Sequence, residues 1–118
     1  MKKLVLIVGL LVAFSASAKD CEKESEGGGA VAWRECIATQ NQKPMDDAYN
    51  ALIKVHGGNE EAINAVKESQ DAWTKFKYAT CGYIEIIDSR EAGAVCADEF
   101  TKARVKILNQ YAKQVGKK

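Results

Sequence analysis

The sequence predicts an all-α protein, a small bundle of three to four helices stapled by two disulfides. Three observations predict it. Apolar residues recur at helical spacing between capping residues, four cysteines fall as two equally spaced pairs, and an export signal precedes them. Of the 118 residues, 47% are hydrophobic and 28% charged, the balance of a folded chain and not of a disordered one. The formal charge of +1 leaves no basic surplus, so no nucleic-acid partner is predicted. One His and one Pro argue against a His-rich zinc site and a proline-rich scaffold.

Residues 1–18 read as a signal peptide and stand apart from the fold. Lys2 and Lys3 form the positive end, residues 4–14 the apolar run, and Ala16-Ser17-Ala18 the small-x-small cleavage site. Eleven apolar residues are too few for the ~20 that span a bilayer, and Lys19-Asp20 directly before Cys21 does not suit a lipid-attachment site. Cleavage after Ala18 leaves residues 19–118 as a single helical domain, with Lys2 and Lys3 gone and a net charge of −1. No second stretch is apolar enough to span a membrane. The expected location is periplasmic or secreted from a bacterium.

Along residues 19–118 the elements are predicted in order. Residues 19–29 are polar, end in Gly27-Gly28-Gly29, and read as a flexible arm held by Cys21. Val31, Trp33, Ile37 and Gln40 start the helical period, and Pro44 either opens the next helix, where a missing N–H costs nothing, or kinks a longer one. Met45, Ala48, Tyr49, Leu52 and His56 define one face of that second helix, and Gly57-Gly58 stops it. Asn59 caps a third helix, with Glu60 and Glu61 in its first turn and Ile63, Val66, Gln70, Trp73, Phe76 and Thr80 as its apolar stripe. Residues 81–88 read as an irregular or short helical link. Ser89 caps a last helix whose expected core stripe is Cys96, Phe100, Ala103, Ile107 and Tyr111, with residues 113–118 as a frayed basic tail.

Four cysteines, Cys21, Cys36, Cys81 and Cys96, allow three pairings. The two separations of fifteen favour Cys21–Cys36 with Cys81–Cys96, each closing a loop worth about 3 kcal/mol in the chain-entropy picture. The pairing Cys21–Cys81 with Cys36–Cys96 would instead cross-link the two halves of the chain. There is no C-x-x-C, and no His stands at ligand spacing from a Cys, so metal and redox roles are not predicted.

The sequence supports no enzyme and no cofactor. The one imidazole, His56, precedes a Gly-Gly stop, where a cation suits the helix dipole. The acidic pairs Asp46-Asp47 and Glu60-Glu61 point to different faces of their helices, as solvated acids do. Gln70 is the odd residue, a polar group in an apolar stripe. Buried, it needs partners, which nearby Tyr or Trp polar atoms are expected to supply.

The segment Ser69-Gln70-Asp71-Ala72-Trp73-Thr74-Lys75-Phe76-Lys77 with Cys81 resembles a known pattern, Q-x-A-W-x-x-[aromatic]-R-x-x-x-C. Cys96, Thr101, Arg104 and Leu108 are similar to a second, a Cys followed by T-x-x-R-x-x-x-L. Met45-Asp46-Asp47-Ala48-Tyr49 is similar to L-[ND]-x-x-Y, with Cys36 ahead of it. These belong to the LprI-like lysozyme-inhibitor family of secreted bacterial proteins, formerly a domain of unknown function. Lys77 stands where the family has Arg, and Met45 where it has Leu. The resemblance covers residues 21–108, nearly the whole chain after the expected leader. It implies a helical domain in which Tyr49, Gln70, Trp73, Phe76, Lys77, Thr101, Arg104 and Leu108 are structural, and a binding protein that blocks a lysozyme without chemistry of its own. Asp46, Asp47, Glu60 and Glu61, beside the Gly57-Gly58 turn, are the expected partner surface. The other reading is a small structural or interaction protein of the cell envelope with an unrelated partner. Oligomeric state is not set by the sequence.

Overall fold

The computed structural model describes residues 20–117, so the expected leader, residues 1–18, lies outside the described residues. Four helices account for them: α1 (Cys21–Thr39), α2 (Gln42–Val55), α3 (Glu60–Ile87) and α4 (Arg90–Gly116). Among the described residues there is no strand. α4 is the central element and packs against each of the other three.

Helix α1 is two arms rather than one rod. In a straight helix the Cα atoms of Cys21 and Cys36 would stand ~22 Å apart at ~1.5 Å per residue. They are 5.5 Å apart and disulfide-bonded. The chain turns back at Gly29, whose φ of 71° and ψ of −155° lie where only glycine sits without strain. Residues 21–28 are therefore helical, which corrects the expected flexible arm. The Asp20 carboxylate caps this short arm by accepting from the N–H groups of Glu22 and Lys23 at 3.2 and 3.3 Å. The Trp33 indole N–H donates to Glu22 Oε1 across the bend at 3.0 Å. Gly28 is equally constrained, because a Cβ there would stand 2.5 Å from the Ala32 Cβ, which has no rotamer to yield. Gly29→Ala is expected to lower stability by about 1–3 kcal/mol, read by denaturant titration. A loss below about 0.5 kcal/mol would show that the bend tolerates a side chain.

The other helix ends follow the sequence closely. Gly57, at φ 58°, takes the left-handed position after α2, and its N–H donates to Lys54 O at 3.1 Å. Asn59 Oδ1 accepts from Ala62 N–H at 3.1 Å, and Ser89 Oγ accepts from Ala92 N–H at 3.0 Å. Pro44 lies in the first turn of α2 as expected. Residues 81–87 continue α3 instead of forming a link, and residues 113–116 continue α4 instead of fraying. Cys81–Cys96 joins these two long helices, again with the Cα atoms 5.5 Å apart. Gly93 lets them approach there, since a Cβ would meet Glu85 Cβ at 3.1 Å.

The core is small and sits between α2 and α4. Met45, Ala48, Leu52 and Leu108 are its buried cluster, with Tyr49, Val66, Trp73, Val105 and Ala112 packed around it. The expected α3 stripe faces inward except at Phe76: Ile63 is buried and Val66 and Trp73 pack on the core, while Phe76 is 61% exposed and its neighbour Lys77, 7% exposed, is buried instead. The expected α4 stripe is rotated. On α4 the inward residues are Thr101, Arg104 and Leu108, while Ala103, Ile107 and Tyr111 face out. Neighbouring residues on a helix point ~100° apart, so reading the apolar member of each pair as the core selects the wrong face.

Candidate functional site

The residues that carry the family resemblance meet along the α3–α4 contact. Arg104 Nε donates to Gln70 Oε1 at 3.0 Å, and its Nη2 donates to Ser69 Oγ at 3.0 Å. The Gln70 amide turns its Nε2 to the sulfur of Met45 on α2, 3.4 Å away. Gln70 thus bridges three helices, and its partners are Arg104 and Met45 rather than the expected Tyr or Trp. Two cations stand over the Trp73 ring, the Lys77 ammonium 5.1 Å and the Arg104 guanidinium 5.8 Å from its centroid. Lys77 also stands 5.1 Å from the Tyr78 ring. No carboxylate among the described residues forms an ion pair with either cation. Their charge rests on aromatic faces, which attract a cation through the ring quadrupole. Burial strips water from both and holds the pKa of each below its ordinary value.

The remaining motif residues spread from this contact to the α2–α4 core and the surface. The Thr101 hydroxyl donates to Ala97 O at 2.9 Å. Leu108 is fully buried against α2, and Tyr49 packs on that cluster. Phe76 is the exception, lying at the surface with its ring 5.7 Å from that of Phe100.

A second polar centre was not apparent from sequence. Asp98, 4% exposed, accepts from the Asn41 amide at 2.6 Å and from the Gln40 amide at 3.1 Å. The Lys102 ammonium closes the set at 3.1 Å, and that hydrogen bond to Asp98 holds the lysine above its ordinary pKa. The Asn41 side chain thereby joins α4 and leaves α2 without a side-chain cap. The Cys21 sulfur touches Gln40 Oε1 at 3.7 Å, a contact and not a hydrogen bond, because a disulfide sulfur carries no proton. Only the Lys102 partner, four residues away on one helix, was readable beforehand.

Two shallow grooves flank α4. One, about 360 Å³, lies between α1, α3 and α4, with Arg34, Tyr78, Gly82, Glu85, Arg90 and Ala97 on its walls. Three of its lining charges are in ion pairs, Arg34 with Glu91 at 3.0 Å and Arg90 with Glu85 at 3.7 Å. A hydrogen bond from its own backbone and one from Arg34 hold Glu91 below the usual carboxylate pKa. The other groove, about 420 Å³, is bordered by Asn41, Glu99, Lys102 and Lys106. Among the described residues, no cluster of His, Cys, Asp and Glu has the arrangement of a metal site.

The acids expected at a partner surface are all exposed, but they form two pairs at different places. Asp46 accepts from the Gln42 amide at 2.9 Å, and Asp47 pairs with Lys43 at 3.0 Å, both in the first half of α2. Glu60 and Glu61 open α3 beyond the turn. At ~1.5 Å per residue, the length of helix between Asp47 and the end of α2 is roughly 12 Å.

Fold and site together define a disulfide-stapled, all-helical protein with a buried cation–aromatic seam. Residues 19–115 match the family of the lysozyme inhibitor LprI, and the chain belongs to that family. No curated protein and no solved structure matches it.

Proposed function

We propose that this chain is an exported lysozyme inhibitor, cleaved after Ala18 and acting by occlusion alone. The observation that carries this reading is the family match over residues 19–115. The two disulfides fit an oxidising compartment outside the cytoplasm. Among the described residues, no helix is long and apolar enough to cross a membrane. Glycoside hydrolases of this kind need two carboxylates open to the glycan and to water, so a protein that fills or caps the cleft stops turnover without reacting. The partner surface in this reading is the acidic side of α2 and the start of α3, with Asp46, Asp47, Glu60 and Glu61 as contacts.

The test is lysozyme activity on cell-wall suspensions titrated with the exported protein. Hydrolysis is expected to fall to completion near equimolar inhibitor. The double variants Asp46→Asn/Asp47→Asn and Glu60→Gln/Glu61→Gln are each expected to weaken inhibition about tenfold, as loss of complementary interface charge does. Unchanged hydrolysis at large molar excess removes the inhibitor reading. Full inhibition by both double variants moves the contact surface elsewhere on the protein.

A further inference from the structure

Among the described residues, the outward face of α3 carries a seam left largely open, with only the Phe100 ring beside it, 5.7 Å from that of Phe76. Ala72, Phe76, Ala79, Tyr83 and Ile86 succeed one another at steps of four, three, four and three residues. That is the spacing of a helix that packs lengthwise on another helix. All five are exposed, Phe76 by 61%, Tyr83 by 58% and Ile86 by 84%. The inner face of the same helix, with Lys77 and Cys81, is already spent on α4.

We propose that this seam pairs with the same seam of a second copy of the chain, antiparallel about a two-fold axis. The order of side-chain sizes singles out a second copy. When the seam is reversed and laid on itself with Phe76 opposite Ala79, Ala72 falls opposite Tyr83. Each aromatic then meets a methyl group, and the two-fold repeats both contacts on the far side of the axis. A parallel pairing would set Phe76 on Phe76 and Ala79 on Ala79, alternating overpacking with voids. Charge does not oppose the contact. None of the five positions is charged, and Lys75 on the flank is held by Asp71 at 3.3 Å.

The area is adequate for a reversible dimer. With ~200 Å² for each large side chain, the exposed parts of Phe76, Tyr83 and Ile86 and the two alanines give on the order of 500 Å² per copy. The resulting ~1,000 Å² total stands at the lower end of specific interfaces, where association is weak and concentration-dependent.

Sedimentation velocity of the exported protein from about 1 µM to about 300 µM should show a monomer shifting to a dimer, as expected for micromolar affinity. Ala79→Glu places a charge in the seam and should raise the dimer dissociation constant at least about tenfold. Ala79 is exposed in the monomer, so the circular dichroism should not change. Phe76→Ala and Ala79→Phe should each weaken the dimer, and the double variant Phe76→Ala/Ala79→Phe should recover it, because large again meets small. A monomer at every concentration overturns the proposal. So does a dimer indifferent to Ala79→Glu. A double variant weaker than both singles overturns the antiparallel register. A monomeric protein whose lysozyme inhibition is lost with Ala79→Glu assigns the seam to the enzyme and overturns pairing between copies. Dimerisation is read without lysozyme present, so its failure leaves the inhibitor reading untouched.

Discussion

Asp98→Ala should lower stability by about 3 kcal/mol, since buried hydrogen bonds to a charged group are each worth ~1.5–3 kcal/mol and some of the lost partners recover water. Three donors lose their acceptor together: the Gln40 and Asn41 amides and the Lys102 ammonium. Lys102 reaches solvent and loses little, whereas the two amides are half-buried at the α1–α2 junction. Asp98→Asn is the informative control. It keeps the shape but turns one acceptor oxygen into a donor, which faces an amide N–H of Gln40 or Asn41. It should fall between wild type and Asp98→Ala. Hydrogen exchange gives the spatial signature, with faster exchange over residues 21–41 while α3 keeps its protection. A loss under about 1 kcal/mol, within the range of an ordinary surface substitution, would mean that the carboxylate holds nothing in place.

Asp98 also shows where sequence reading stops. Features written in adjacent residues were legible. Asn59 and Ser89 announce their caps, Gly57 announces its stop, and the equal separations of fifteen favoured the cysteine pairing that the structure has. What failed depended on partners far along the chain. The amides that hold Asp98 are 57 and 58 residues away, and no local pattern separates it from a solvated aspartate. Lys77 and Arg104 failed for a related reason. Periodicity assigns a charged residue to the outside, yet aromatic faces and neutral acceptors let these two turn inward. Only the family resemblance marked them. The helical arm at residues 21–28 was hidden by the run Gly27-Gly28-Gly29. One of them, Gly29, makes the reversal that lets Cys21 reach Cys36. The partner surface was least legible, because the four acids sit in two pairs and surface charge alone names no ligand.

Leu108→Ala should be the most damaging single substitution, at about 4 kcal/mol within the ~2–5 kcal/mol range for truncating a buried leucine. Leu108 is fully buried, and it is the α4 member of the cluster with Met45, Ala48 and Leu52. The loss sits at the upper end of the range because the surroundings are poorly able to close the void. Ala48 is too short to fill it, and Met45 is engaged by the Gln70 amide, which is itself fixed by Arg104. A protein of this size has only ~5–15 kcal/mol of total stability, so the change removes a large share. The melting temperature should fall by on the order of 20 °C. Leu108→Met, which keeps the volume, should cost less than about 1.5 kcal/mol. Urea titration separates the outcomes. A lower midpoint at unchanged slope is the signature of a cavity, and a lower slope would show a loosened native or denatured state instead. A loss below about 1.5 kcal/mol for the alanine variant would mean that α2 settles onto α4 and that the core is not close-packed there.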